Sequence, residues 1–123
     1  MIEIGKFFSQ EIIVAHKDTA AVHGSGHLEV FATPAMVGLM ENTAMKCLEG
    51  MLDENTDTVG IEMNVRHTKA TAVGGKVNCK ATITEVEGRR IRFEIEAEDE
   101  KGQIGYAIHD RFIIDPVKFM SKL

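Results

Sequence analysis

The chain has 123 residues, of which 44% are hydrophobic, and this size and composition predict a single globular domain over residues 1–123. The formal net charge is −5 and no long basic stretch is present, which argues against nucleic acid or an anionic membrane as a partner. No run approaches the roughly 20 apolar residues that cross a bilayer, the N-terminus lacks a signal-peptide pattern, and two cysteines are too few for a disulfide framework, so we expect a cytoplasmic protein.

The first predicted element is a strand over Glu11–His16, because "EIIVAH" is short, apolar and rich in β-branched residues. The segment that follows, "KDTAAVHGSGHLEVFA", contains Gly24, Ser25 and Gly26 and predicts a long loop. Loops of this length in a compact domain are usually functional or mobile.

One long helix is predicted from "FATPAMVGLMENTAMKCLEGML", beginning at Thr33 and Pro34 and ending at Asp53. Thr is a favourable N-cap, and Pro is favoured at the first helical position. An apolar stripe recurs at helical spacing, and its members are Pro34, Val37, Ala44, Leu48 and Met51. Further apolar residues flank this stripe, so we expect the helix to be covered by a sheet and by a partner chain.

After the helix the apolar pattern changes to period two, which predicts strands. "TVGIEMNVRHTKA" places one set of residues on the inner face, namely Val59, Ile61, Met63, Val65 and His67. Gly60 and Glu62 fall on the other face. Two more alternating segments follow, "KVNCKATIT" and "RIRFEIEAE", and a last segment, "QIGYAIHDRFIID", alternates less cleanly; glycine-containing turns separate them. We therefore predict an α+β hotdog fold, in which a five-stranded antiparallel sheet wraps around one long central helix.

Three residues carry the candidate chemistry: Thr33 at the helix start, Glu41 within the apolar stripe, and His67 on the predicted inner strand face. An acid and an imidazole that share a half-buried cleft can perform general acid–base or nucleophilic work. Each residue also has a purely structural interpretation. Thr33 can be only an N-cap, and His67 can be only a core residue. Glu41 can turn out of the stripe and pair with Arg66 or Lys46.

The stretches "TPAMVGLMENTA" and "VGIEMNVRH" resemble the hotdog thioesterases related to fluoroacetyl-CoA thioesterase, and the similarity runs from about residue 11 to residue 115. In that family a Thr, a Glu and a His form the catalytic set, and the matching residues here are Thr33, Glu41 and His67. The resemblance also places Gly60 and Arg111 in the active-site region. It implies a homodimer with the site at the subunit interface.

The loop before the helix departs from the family pattern. The fluoroacetate-selective members shield the acyl pocket with a lid that bears phenylalanines. The corresponding loop here offers His23, Gly24, Gly26 and His27, and the nearest aromatic residue is Phe31, our further candidate for substrate binding. We therefore expect a short acyl group other than fluoroacetyl.

The resemblance implies hydrolysis of a short-chain acyl-CoA thioester, with no metal and no cofactor besides the coenzyme A of the substrate. In one mechanism Glu41 either attacks the carbonyl or activates a water molecule, with help from His67. In the other mechanism Thr33 is the nucleophile. The sequence leaves these mechanisms open. The alternative function is a non-catalytic acyl-CoA-binding hotdog module, which needs the pocket but not the acid–base set. A hydratase of the same fold would carry an Asp and a His a few residues apart at the helix start, and no such pair is present.

Overall fold

The computed structural model describes residues 1–123 as a five-stranded antiparallel sheet of order β1-β3-β4-β5-β2 that wraps around the helix α2, which is the predicted hotdog fold. The elements in chain order are β1 (Phe7–Ile13), a 3-10 helix (His16–Asp18), α1 (Ala20–His23), α2 (Thr33–Cys47), β2 (Asp57–His67), β3 (Lys76–Glu87), β4 (Arg90–Asp99), β5 (Gly102–Ile114) and α3 (Pro116–Ser121). None of the helices has the length and apolar character that crossing a bilayer requires.

The central strands β3 and β4 form the floor of the core. The residues predicted to point inward are all at most 1% exposed: Val77, Cys79, Ala81 and Ile83 on β3, and Ile91, Phe93, Ile95 and Ala97 on β4. Successive side chains of a strand point to opposite faces, so the period-two pattern was sufficient to identify this face. The helix α2 packs on it, mainly against β3 and β1.

The helix buries only part of the predicted stripe: Ala44 and Leu48 are in the core and Met51 packs against it, whereas Pro34 and Val37 are not buried. Its buried residues are Met36, Leu39, Met40, Thr43, Ala44 and Cys47. Pro34 is exposed, while Val37 and Glu41 are only half-buried at the flank of the helix. The prediction was wrong for the first turns of the helix because α2 is apolar around most of its circumference, and two rows of residues therefore fit the helical spacing there. Contact with the sheet selected the row with the larger methionines.

The bounds of the elements in the first half of the chain also differ from the prediction. β1 starts earlier, at Phe7, and ends at Ile13, so His16 lies in the 3-10 helix and not in the strand. The predicted long loop contains the short helix α1. α2 ends at Cys47, and Leu52 packs on the core from the turns that follow.

A β-bulge in β2 changes which residues face the helix. The pairing of β2 with β5 shifts between Gly60 and Glu62, so Ile61 is the extra residue. Ile61 is 53% exposed instead of inward, and Gly60 faces α2 instead of the outer side. Beyond the bulge, Met63 and Val65 pack against the core as predicted. Bulges of this kind redirect side chains, often beside active sites, and no local pattern in the sequence indicated this one.

Candidate active site

The first part of the site lies where the start of α2 meets the end of β2. The Thr33 hydroxyl oxygen and His67 Nδ1 are 2.8 Å apart. Thr33 is not the N-cap that the sequence predicted, because the cap position belongs to Ala32, which makes no side-chain cap hydrogen bond. Thr33 is the first residue of the helix, and its hydroxyl contacts the His67 imidazole instead of capping a backbone N–H group.

The surroundings of His67 favour a neutral ring. Burial lowers the pKa of His67 below its usual value, and the nearby Lys69 backbone opposes this effect in smaller measure. Nε2 is buried and has no hydrogen-bond partner, which leaves Nδ1 as the ring nitrogen with a polar contact. The Phe31 ring meets the imidazole edge-on, with centroids 6.4 Å apart. A neutral histidine that faces a hydroxyl is able to act as a general base near pH 7.

A cleft of about 340 Å³ opens beside this pair, between the loop before α2 and the end of β2. Phe31 lines it although its side chain is almost fully buried, and Lys69 stands among its lining residues. Its volume lies at the small end of the range for ligand sites, roughly 300–1,000 Å³. A larger groove of about 600 Å³ runs over the outer face of the sheet beside Glu94 and Tyr106, but no candidate residue borders it. The smaller cleft is therefore the one that the candidate chemistry can use.

The second part of the site surrounds Gly60. A Cβ atom on residue 60 would lie 2.6 Å from Glu41 Oε2, 3.1 Å from His109 Cε1 and 3.5 Å from Arg111 Nη1. The missing side chain is what allows the Glu41 carboxylate to approach the backbone of β2. Glu41 makes no ion pair with Arg66 or Lys46, the structural alternative that the sequence left open.

Arg111 is a buried cation in this second group, only 6% exposed. Its Nε donates to the Thr58 hydroxyl at 2.8 Å, its Nη2 donates to the Thr58 carbonyl at 3.1 Å, and its Nη1 lies 3.2 Å from His109 Nε2. Burial lowers the pKa of Arg111, while the Glu41 carboxylate favours the charged form. A guanidinium stays protonated at any physiological pH, so the group holds a fixed positive charge beside Glu41.

The six predicted site residues therefore fall into two groups within one chain. Thr33, His67 and Phe31 meet at the start of α2, and Glu41, Gly60 and Arg111 meet at the bulge of β2. Eight residues of helix separate Thr33 from Glu41, which is about 12 Å along the helix axis. Within one chain Glu41 and His67 therefore belong to separate groups, and a cleft shared by the two residues stays a prediction.

Two residues of the second group, His109 and Thr58, were absent from the sequence analysis. His109 is 1% exposed and Thr58 is 6% exposed. The alternation of β5 carried a usable signal, because His109 shares its strand face with Ala107 and Arg111. Thr58 carried no such signal, since its role depends on pairing with a strand 53 residues away.

Comparison with known proteins agrees with this fold. The profile of the fluoroacetyl-CoA-specific thioesterase family matches residues 14–117. The fluoroacetyl-CoA thioesterase of Streptantibioticus cattleyicolor is 32% identical over 128 residues, covering 99% of this chain and 92% of the relative.

Among solved structures, the fluoroacetyl-CoA thioesterase FlK superposes with a TM-score of 0.93 at 31% identity, over 99% of this chain and 95% of FlK. A thioesterase superfamily member from Thermus thermophilus superposes with a TM-score of 0.90 at 27% identity, over 98% and 90% of the two chains. Variants of FlK have been solved with fluoroacetate and CoA and with acetyl-CoA. The chain therefore belongs to the fluoroacetyl-CoA thioesterase family, and it is a thioester hydrolase with the hotdog fold.

Proposed function

We propose that this protein hydrolyses a short-chain acyl-CoA thioester and that Thr33, Glu41 and His67 are its catalytic residues. The observation that carries the proposal is the 2.8 Å contact between the Thr33 hydroxyl and His67 Nδ1 at the edge of the 340 Å³ cleft. Phe31 forms the wall on which the acyl group packs, and the small cleft favours a short chain. The loop that carries Gly24 and His27 has no phenylalanine lid, so the substrate is an acyl group other than fluoroacetyl.

In the first step the Thr33 hydroxyl gives its proton to His67 Nδ1 and attacks the thioester carbonyl. The new bond joins the Thr33 oxygen to the acyl carbon, the carbon–sulfur bond breaks, and His67 returns the proton to the departing thiolate. A water molecule then gives a proton to His67 Nδ1 and attacks the acyl carbon, the bond from that carbon to the Thr33 oxygen breaks, and His67 returns the proton to the Thr33 oxygen as the carboxylic acid leaves. The contact between base and hydroxyl favours Thr33 over Glu41 as the nucleophile.

The start of α2 supplies donors for the oxyanion that forms in these steps. The backbone N–H groups of Thr33 and Ala35 donate to no acceptor in the chain, and Pro34 between them has no N–H. Unpaired N–H groups at a helix N-terminus point outward and carry partial positive charge. They therefore stabilise negative charge on a carbonyl oxygen held beside Thr33.

Glu41 reaches this chemistry through a second copy of the chain. β2 is an edge strand with no neighbour on its outer side, and such edges tend to pair. A twofold axis between Met63 and Asn64, with antiparallel β2 strands, brings residue 60 of one protomer opposite residue 67 of the other. Glu41 of the partner subunit then stands near His67, where it stabilises the imidazolium and orients water. Met45, one turn from Glu41 and 40% exposed, joins the interface.

Release of thiol from a panel of acetyl- to hexanoyl-CoA, with fluoroacetyl-CoA included, tests the activity and the acyl preference. Glu41→Gln and His67→Ala should each lower kcat/KM at least about a hundredfold, because each removes a group that acts on the transition state. Glu94→Gln on the outer face of the sheet is the matched control for Glu41→Gln and should stay within about threefold of wild type. A protein that binds acyl-CoA without releasing thiol would be the non-catalytic module instead.

Mixing two inactive variants tests whether the site is shared between subunits. Equal amounts of Glu41→Gln and His67→Ala subunits, exchanged to equilibrium, should recover about a quarter of wild-type activity, since half of the dimers then hold one intact site of two. Thr33→Val mixed with His67→Ala should recover nothing, because both residues come from the same protomer. Recovery in the second mixture, or in neither, would contradict the shared site.

A further inference from the structure

His109 is a buried histidine that the proposed reaction does not use. It lies on β5, is 1% exposed, and stacks on the Phe93 ring with centroids 6.3 Å apart. A buried polar ring is costly unless its nitrogens have hydrogen-bond partners. Both ring nitrogens of His109 have a hydrogen-bond partner.

The two partners determine where the proton of His109 lies. Nδ1 is 2.7 Å from the carbonyl oxygen of Glu62, so Nδ1 carries the hydrogen and donates it. Nε2 is 3.2 Å from Arg111 Nη1, and a guanidinium can only donate, so Nε2 must accept. The ring is therefore neutral and held in the Nδ1–H tautomer. Burial and the neighbouring Arg111 both lower the pKa of His109, against the Glu62 carbonyl and the nearby carboxylates, which agrees with this state.

The β-bulge makes the Glu62 carbonyl available for this purpose. The pairing between β2 and β5 shifts between Gly60 and Glu62, and a bulge locally disrupts the ladder of backbone hydrogen bonds. The same irregularity that turns Gly60 toward Glu41 thus provides the acceptor that orients His109.

We propose that His109 is a positioning residue, whose neutral imidazole holds the Arg111 guanidinium at the angle that places its charge beside Glu41 above Gly60. Thr58 accepts hydrogen bonds from Arg111 Nε and Nη2, which lie on one edge of the guanidinium. These two bonds alone would allow the guanidinium plane to rotate about that edge. The contact from Nη1 to His109 is the third point, and it fixes the plane. His109 does not touch the substrate, and its role rests on the proposed function of Glu41.

Replacement of His109 by Leu and by Gln tests the role. His109→Leu should lower kcat by about 10- to 100-fold, because a displacement of about 1 Å near reacting groups costs on that order, while KM changes less than about threefold. His109→Gln should recover most of the loss, because its amide can donate to Glu62 and accept from Arg111. Phe93→Leu is the control for packing against the ring, and it should lower thermal stability while kcat stays near wild type.

A second measurement does not depend on activity. The side-chain nitrogen-15 spectrum of the protein at about pH 7 should show His109 protonated at Nδ1 and unprotonated at Nε2. In Arg111→Met the hydrogen should stay on Nδ1, because the Glu62 carbonyl still accepts it, while the Nε2 resonance should shift because its donor is gone. An Nε2–H tautomer or an imidazolium would overturn the inference, as would wild-type kcat in His109→Leu or a His109→Gln variant as slow as His109→Leu. A wild-type protein that hydrolyses no acyl-CoA overturns the proposed function and this role together, whereas an active wild type with these results overturns the role alone.

Discussion

Replacing Gly60 by Ala should separate the activity of this protein from its stability. The new Cβ would lie 2.6 Å from Glu41 Oε2, and the carboxylate must retreat by about 0.8 Å to reach ordinary contact at 3.4 Å. Gly60 has no positive φ, so the backbone accepts alanine without strain. The closest clash therefore falls on the end of a flexible side chain and not on the backbone, and the His109 ring, with Cε1 at 3.1 Å, must move by only a few tenths of an ångström.

The expected magnitudes follow from that geometry. Moving Glu41 to a strained rotamer costs about 0.5–1.5 kcal/mol, and the lower entropy of the unfolded chain offsets about 0.4–1 kcal/mol of this. The free energy of unfolding should therefore change by less than about 1 kcal/mol. If Glu41 has the proposed catalytic role, a shift of nearly 1 Å in its carboxylate should lower kcat/KM about a hundredfold.

Thiol release and thermal unfolding, measured side by side, check this prediction. Gly105→Ala is the matched control, because its Cβ would meet the Arg66 carbonyl and Met36 Cε, each at 2.8 Å. A backbone carbonyl and a buried methionine cannot move aside easily, so Gly105→Ala should destabilise the fold by about 1–3 kcal/mol. Gly60→Ala should thus lose activity at nearly unchanged stability, whereas the mark of Gly105→Ala is its loss of stability.

A double mutant shows whether Gly60→Ala acts through Glu41. If it does, Gly60→Ala combined with Glu41→Gln should be no slower than Glu41→Gln alone, because the Glu41→Gln variant has no carboxylate that the new Cβ could displace. Additive losses would mean that Gly60 acts on something else. Wild-type kcat/KM in Gly60→Ala, or a loss of stability like that of Gly105→Ala, would refute the reasoning.

Three further predictions concern titratable groups. Asp110→Asn should lower the free energy of unfolding by about 2 kcal/mol near pH 7, since Asp110 accepts hydrogen bonds of 2.8 and 3.0 Å from Arg92. These bonds hold the pKa of Asp110 below 3.8, so the difference between variant and wild type should be present above that pH and close as the pH falls below it. Since burial lowers the pKa of His67, the midpoint of the acid limb of kcat/KM should lie at a lower pH than the pKa of a free imidazole, and a midpoint at or above that of a free imidazole would contradict a neutral base that accepts the Thr33 proton. Burial raises the pKa of the Cys79 thiol to about 11, so iodoacetamide at about pH 8 should label it only as the protein unfolds, and labelling of the folded protein would contradict its burial.

The elements whose pattern is local could be predicted from the sequence. The inward faces of β3 and β4 follow from alternation, which is a property of the extended backbone itself. The order of strands and one long helix then left the hotdog fold as the economical way to bury both apolar surfaces. Thr33, Glu41 and His67 were identified from residue type, predicted position and family resemblance, and their chemical roles are still predictions.

Features that depend on contacts between distant segments could not be predicted in this way. Thr33 and His67 are 34 residues apart, and only the packing of α2 on β2 turned a predicted helix cap into the partner of an imidazole. His109 and the Glu62 carbonyl are 47 residues apart and are in contact because of the bulge in β2, which no local sequence pattern indicated.

The sequence by itself thus determined the order of the five strands and the one long helix, because the spacing of apolar residues reflects the repeat of the local backbone. The tertiary structure alone decided which face of α2 is buried, since a helix that is apolar on nearly all sides gains similar free energy from either face until a particular sheet is packed against it. It also decided that Gly60 faces Glu41, because a single extra residue, Ile61, reverses the side on which every earlier residue of β2 lies.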